Sequence, residues 1–331
     1  VGNCCPLKIE QSHKLLVCIL AVFIGSSCFA SAPQKKEKVL EFPSDTSYGN
    51  LSRVTEVKPL ETHALRVPLG QAKGTIKVPA DTIIFFEPGP RFFQRPEILL
   101  KLPPDSIEYA RIQFTAMDDN EMQMSDRAVK YLRHLTGLRA VDFDRSDTSD
   151  AGAAQLAGLP NLTAVSMSGS TVNGTCLKNL SSCPKLQMLR FGSGKIDDES
   201  LKSVKDFKNL KRLVFNRCNL TDASIKNLAK DASFKMLDIS NNPKITDEAL
   251  KHLAPLKLEY INLRETNVSI AGLQGYYKNH QCKIVMPRMH SQYSKEQLKE
   301  ISKIRGNIVF DFDHRIQYAD VKTIFGSVNR K

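Results

Sequence analysis

The residues best suited to chemistry in this 331-residue chain do not assemble into a recognisable reaction centre. Gly192-Ser193-Gly194-Lys195 matches the end of a phosphate-cradling glycine loop, in which backbone N–H groups and a lysine surround an anion. The match stops there. Leu189 stands where the first glycine is needed, and Ile196 follows the lysine in place of the Ser or Thr that would hold Mg²⁺. His280, Cys282 and His290 are metal-ligand types but lack a fourth partner at motif spacing. Asp311, Asp313 and His314 offer hard ligands, and a solvated turn explains them as well. No Ser/His/Asp or Cys/His grouping sets a nucleophile beside a base. Of the eight cysteines, Cys176, Cys183, Cys218 and Cys282 lie beyond residue 30, and none forms C-x-x-C. These residues point to no catalytic group, no metal site and no cofactor.

The elements that would position any site are far easier to read. The segments 138–143 (LRAVDF), 162–167 (LTAVSM), 186–191 (LQMLRF), 210–215 (LKRLVF), 234–239 (FKMLDI) and 258–263 (LEYINL) share one pattern, L-x-x-L-x-L, at steps of 24 residues. All 18 pattern positions are apolar in a chain that is 41% hydrophobic, an outcome chance gives roughly once in ten million. The central positions are Val141, Val165, Leu189, Leu213, Leu237 and Ile261, and one further step lands on Val285.

A polar triplet follows most segments: Met124-Ser125-Asp126, Thr148-Ser149-Asp150, Ile196-Asp197-Asp198, Leu220-Thr221-Asp222 and Ile245-Thr246-Asp247. Ser, Thr or Asp there caps the free N–H groups of a starting helix, and the adjacent Asp suits the positive end of its dipole. Apolar residues then recur every three positions, as in Leu201, Val204 and Phe207 or Leu250, Leu253 and Leu256. Each unit therefore reads as one strand and one short helix. Such a unit cannot bury its apolar face alone, so units must stack, with parallel strands on one side and helices on the other.

This pattern resembles the leucine-rich-repeat family over about residues 107–287. The T-D-x-x-L-x-x-L portions at Thr221 to Leu228 and Thr246 to Leu253 are most similar to its cysteine-containing subtype, known among exported bacterial proteins. The resemblance implies an α/β fold: a right-handed βα horseshoe solenoid with a parallel concave sheet. It places Cys218 at the position where a side chain caps backbone groups at the turn, with Ser146, Ser170, Gly194, Asn242 and Thr266 there in the other repeats.

Strand alternation then names the concave face. Its rows are Ala140, Ala164, Met188, Arg212, Met236 and Tyr260; Asp142, Ser166, Arg190, Val214, Asp238 and Asn262; and Asp144, Ser168, Gly192, Asn216, Ser240 and Arg264. Met, Tyr and Arg anchors suit a protein or peptide partner. A second reading rests on charge. The chain carries a formal +12, and Lys202, Lys205, Lys208 and Lys211 crowd one repeat, a basic flank suited to an anionic glycan or membrane surface. Nucleic acid is not expected. An enzyme with its site outside the repeats is a third and weaker reading.

The ends differ in composition. Lys8, His13 and Lys14 precede an apolar run at 15–25, and small residues follow it, the layout of a secretory signal peptide over 1–30. Export to the periplasm, cell surface or exterior is the expectation, with a lipid anchor at Cys28 as a variant. Residues 31–95 read as a linker, over 33–52, and a small β-rich N-terminal module. The repeats occupy 96–287, and 288–331 form a degenerate capping repeat in which Tyr318 to Val328 is a last helix.

Overall fold

The computed structural model describes residues 37–118, 121, 123–169, 171–304 and 307–310. The expected signal peptide, Cys28, Ser170, the Asp311/Asp313/His314 cluster and the Tyr318–Val328 helix lie outside them. The strands are β1 (Glu37–Glu41), β2 (Gly49–Val57), β3 (Ala64–Gln71), β4 (Thr75–Pro79), β5 (Ile84–Pro88), β6 (Tyr109–Arg111), β7 (Ala140–Asp142), β8 (Ala164–Ser168), β9 (Met188–Gly192), β10 (Arg212–Asn216), β11 (Met236–Asp238), β12 (Tyr260–Asn262), β13 (Lys283–Val285) and β14 (Asn307–Val309). Twelve of them form one sheet in the order β14-β13-β12-β11-β10-β9-β8-β7-β6-β5-β2-β3, parallel from β14 to β5, with β2 and β3 antiparallel at the end. β1 and β4 pair in a separate antiparallel ribbon. The fold is a leucine-rich-repeat solenoid with a small antiparallel sheet at its N-terminal end.

The 24-residue step is visible as register. Val141 pairs with Val165, Leu189, Leu213, Leu237 and Ile261 in succession across the ladder. Each of these side chains is fully buried, worth about 2 kcal/mol per rung in apolar burial. Phe143, Phe191 and Phe215 fill the third position, and Phe191 stacks on Phe215 with centroids 5.2 Å apart. The last step departs from expectation. Ile261 pairs with Ile284, a step of 23, so Ile284 takes the core position and Val285 turns to the concave face. One residue fewer in the loop flips the alternation.

The helices are short because strand and turns use most of each unit. They are α1 (Pro90–Gln94), α2 (Met124–Leu132), α3 (Asp150–Ala154), α4 (Leu177–Leu180), α5 (Asp222–Ala229), α6 (Asp247–Leu253), α7 (Ile270–Tyr277) and α8 (Lys295–Ser302), and a 3₁₀ stretch, Ser200–Asp206, stands in for one of them. The expected caps form at Ser149, Thr221 and Thr246, each accepting from N–H groups of its first turn. Ser125 does not cap. α2 starts one residue before it, after Gln123 at φ 70°, and the buried Ser125 hydroxyl meets Ser146 and Thr148 instead.

Three of the triplet Asp residues do more than complement a dipole. Asp126 accepts from the N–H and hydroxyl of Ser149, Asp222 from those of Thr246, and Asp247 from those of Ser269. Each Asp thus fixes the cap of the next unit, a rivet between repeats. Asn242, fully buried, plays the turn-capping role. Its Oδ1 accepts from Cys218 and Leu220 N–H, and its Nδ2 donates to the carbonyls of Phe215, Ile239 and Ser240.

The stretch expected to be a linker is structured: β1 and the start of β2 lie within it. Lys38 donates from β1 to the Glu108 carboxylate (2.7 Å), which also accepts from the Ile84 N–H (2.7 Å). Burial pushes the Glu108 carboxyl above its ordinary range despite these donors. Gly49, at φ +140°, is required, because a Cβ there would collide with the Glu87 carbonyl where β2 passes β5. Among the described residues no helix is long and apolar enough to cross a membrane.

Candidate functional site

The concave rows run in register along the sheet, as alternation requires, but the first row is not open. Ala140, Ala164, Met188, Met236, Tyr260 and Val285 are buried in a second apolar cluster, separate from the main core, together with Val54, Leu60, Ala64, Phe85 and Tyr109. Arg212, in the same row, is only 3% exposed. The cover is the tip that joins β2 to β3, residues 58–63. It leaves the N-terminal end of the sheet and crosses the concave face as far as β10. The expectation that this row stands exposed to a partner is therefore corrected: its residues are buried, and a segment of the same chain lies over the row as far as Arg212.

Three contacts seat the tip. Leu60 enters the apolar row and lies at φ +55°, a left-handed conformation that a bulky residue adopts only where its surroundings hold it. Glu61 reaches two arginines: Arg212 donates to its Oε1, and Arg190 Nη2 stands 3.5 Å from its Oε2. Arg212 also donates to the Leu60 carbonyl (3.3 Å). His63 Nε2 lies 3.4 Å from Asp142 Oδ2. Burial alone would raise the Glu61 carboxyl, but Arg212 and Arg190 outweigh it and hold the group below its ordinary range.

A chain of charges continues toward the N-terminal edge. Arg111 bridges Asp142 Oδ2 (Nε, 3.0 Å) and Glu87 Oε1 (Nη1, 3.2 Å), and Arg66 donates to that same Glu87 oxygen at 2.8 Å. The Arg66 guanidinium also lies 4.1 Å above the Phe85 ring. Next to Asp142, Asp144 accepts from the Ser166 hydroxyl (2.6 Å) and the Ser168 N–H (2.8 Å). Burial, and then the Asp142 charge, push the Asp144 carboxyl up.

His63, Asp142 and Asp144 bring three metal-ligating atoms within 4.8 Å of one another. The set is a poor cation cage. Arg111 already donates into the Asp142 oxygen an ion would need, so a cation would face a guanidinium at hydrogen-bond distance from its first ligand. The arrangement is a charge network that fixes the tip. Sequence reading missed Glu61 and His63 because nothing local distinguishes them. Their partners lie some 80 to 150 residues away.

The remaining expected residues fall in three settings. Ser166, Val214, Asp238 and Asn262 face the concave side and are buried, with Asp238 accepting from Ser240 and Asn262. Arg190, Asn216 and Arg264 are half-buried and keep part of their surface at the concave side. Lys202, Lys205 and Lys208 are exposed on the 3₁₀ stretch and the turn after it, whereas Lys211 is half-buried, and Lys202 pairs with Glu199 at 2.7 Å.

The other chemistry-bearing residues have structural duties. Gly192 packs against Ser168, leaving no room for a Cβ, and Ser193 takes φ 59°, so the Gly192–Lys195 run is a repeat turn. Both ring nitrogens of His280 lie 2.7 Å from carbonyl oxygens, of Tyr276 and Ala254, and Cys282 is buried. Cys176, Cys183 and Cys218 are also free and buried, and burial pushes all four thiols up, Cys218 and Cys282 to about 12. Such thiols are poor nucleophiles. A groove of about 340 Å³ at the last described repeat is lined by Leu298, Ile301, Ile304, Ile308 and Phe310 together with His290 and Ser302.

No family model matches the chain, and no curated protein matches it in sequence. Solved structures do. An internalin from Listeria monocytogenes strain 4b F2365 is similar at 17% identity over 68% of this chain and 59% of its own, with a TM-score of 0.38. Rad7, solved with Elc1 in yeast, is similar at 13% identity over 68% of this chain and 79% of that one (TM-score 0.32). TLR13, solved with ssRNA13, is similar at 16% identity over 65% and 37% (TM-score 0.35). The chain spans less than two thirds of the length of that internalin.

Proposed function

We propose that this chain is an exported, non-enzymatic scaffold that takes a protein or peptide on its concave sheet. The observation that carries the reading is the second apolar cluster: the concave face already accommodates a turn of polypeptide, with Leu60 in the same apolar cluster as Met188 and charge contacts at Arg190 and Arg212. A surface able to seat one such segment has the chemistry to seat another. Export is supported by the basic residues and apolar run at 8–25, and similarity to the cysteine-containing subtype by Cys218 and Asn242 at equivalent turns.

The test is selection from a displayed peptide library on the immobilised chain, followed by hydrogen exchange of the complex. Protection concentrated in 188–192 and 212–216, and loss of binding on Arg190→Ala with Arg264→Ala, is the expected result. Protection confined to the convex helices overturns the reading. Electrostatic association with an anionic glycan or membrane surface is the second reading, favoured by the exposure of Lys202, Lys205 and Lys208. It predicts binding that falls steeply between low and physiological salt and on charge reversal of those lysines.

A further inference from the structure

The tip has the form of a ligand already in place. Leu60 supplies an aliphatic anchor, Glu61 a carboxylate held between two guanidiniums, and the Leu60 carbonyl a backbone acceptor for Arg212. All three come from two consecutive residues on a segment bound across the sheet, away from the ladder of its own strands. Arg212 is 3% exposed, an expensive place for an arginine unless a carboxylate meets it. Met188 and Met236, which line the same row, are adaptable side chains suited to exchanging one occupant for another. Leu60 holds a backbone conformation that favours release once its contacts are lost.

We propose that residues 58–63 are an internal pseudo-ligand, and that the external partner is a peptide that turns through an aliphatic residue followed directly by Asp or Glu, which displaces them. The inference rests on the concave-face reading above and adds the partner's chemistry to it. In the bound state the incoming carboxylate takes the place of Glu61 between Arg190 and Arg212, and the aliphatic residue takes that of Leu60. Uncovering the row without replacing the carboxylate would take from Arg190 and Arg212 the Glu61 charge they share, so carboxylate-bearing peptides are preferred over neutral and basic ones. The tip also lowers apparent affinity by the fraction of time it stays docked.

The experiment uses the full chain with Lys58–His63 replaced by Asn-Gly, a two-residue turn that can join Val57 to Ala64, which already pair. The probe is a fluorescent peptide copying Val57–Ala64, end-blocked. The shortened chain, with circular dichroism like that of the original, is expected to bind the probe saturably, and the original chain roughly tenfold more weakly. A Gln in place of the probe's Glu is expected to cost roughly 30-fold, and Arg212→Ala in the shortened chain a similar factor. Absence of saturable binding to the folded shortened chain overturns the inference, as does equal binding of the Glu and Gln probes. Binding of a heparin oligosaccharide at this row in preference to the probe overturns it too.

If the shortened chain does not fold, Glu61→Gln in the intact chain carries the test. It loosens the tip, so probe binding must rise above that of the original, and no rise overturns the inference. Library peptides that protect 188–192 and 212–216 but lack the aliphatic–acidic pair would overturn the pseudo-ligand and leave the concave-face reading standing. Peptides that protect only the convex helices would overturn both.

Discussion

The repeats and the N-terminal hairpin are built by different rules within one sheet. From β7 to β12 every strong contact joins a unit to its neighbour: a 24-residue ladder step, an Asp rivet to the next cap, an Asn242 side chain reaching back to the turn of Cys218. The hairpin of β2 and β3 joins the end of the sheet and then skips units, its tip meeting Asp142, Arg190 and Arg212. The stacked units share one continuous core, whereas the tip lies on the face of the sheet outside that core and can lift away without opening it. The difference predicts that damage within the stack spreads through the fold, while damage at the tip stays local.

The largest effect should follow a rung truncation. Leu213→Ala or Leu237→Ala removes a fully buried side chain flanked by rungs on both sides, and about 3–5 kcal/mol of stability should be lost in denaturant unfolding. Asn242→Ala strips the partners from two N–H groups and three carbonyls in the core, with an expected loss of about 3 kcal/mol. Glu61→Gln leaves two guanidiniums without their carboxylate. Its cost should stop at about 2 kcal/mol, because the tip can undock and hydrate both arginines. If Glu61→Gln lowers global stability as much as Leu237→Ala, the tip belongs to the cooperative stack and the contrast fails. Asp222→Ala, at a partly exposed rivet, should cost about 1 kcal/mol in thermal unfolding.

The pH dependence sharpens the same contrast. The Glu61 carboxyl lies below its ordinary value in the docked state. Docking therefore gains its full contribution above the free carboxylate value of about 4.3 and loses it as pH falls through the docked value. Asp144 lies above its ordinary value, so its ionised form is disfavoured in the fold, and acid relieves that cost. Protection of the first concave row should be flat from about pH 8 to pH 5 and fall only in strong acid. A transition near neutral pH would show that Glu61 does not dominate the seat.

The stack could be read from the chain because its information is local and repeated. Val141, Leu189 and Leu237 carry the same message 48 residues apart, and a periodic signal survives single exceptions such as the 23-residue step at Ile284. The concave face was legible as a face but not as a covered one. Alternation says which way Arg212 points, and it cannot say that Glu61, 151 positions earlier, will meet it. Lys58-Pro59-Leu60-Glu61-Thr62-His63 has the composition of an ordinary turn, and only the folded chain brings Leu60 into one apolar cluster with Met188. The rivets were half legible: Asp after Ser or Thr marked helix starts, while the hydrogen bond to the next unit needed the stacking geometry.

Covering of the concave row by the tip can be tested most directly with methionine oxidation, because the chain supplies its own controls. Met117 and Met289 are exposed (87% and 40%), Met167 and Met286 lie in the main core, and Met188 lies in the stretch of the apolar row that the tip crosses. Dilute hydrogen peroxide, followed by peptide mass spectrometry, reports each side chain separately. In the original chain Met117 and Met289 should oxidise while the other three stay protected. Replacing Lys58–His63 with Asn-Gly should expose Met188 while Met167 and Met286 stay protected. Oxidation of Met188 in the unaltered chain as fast as Met289 would contradict the covered face.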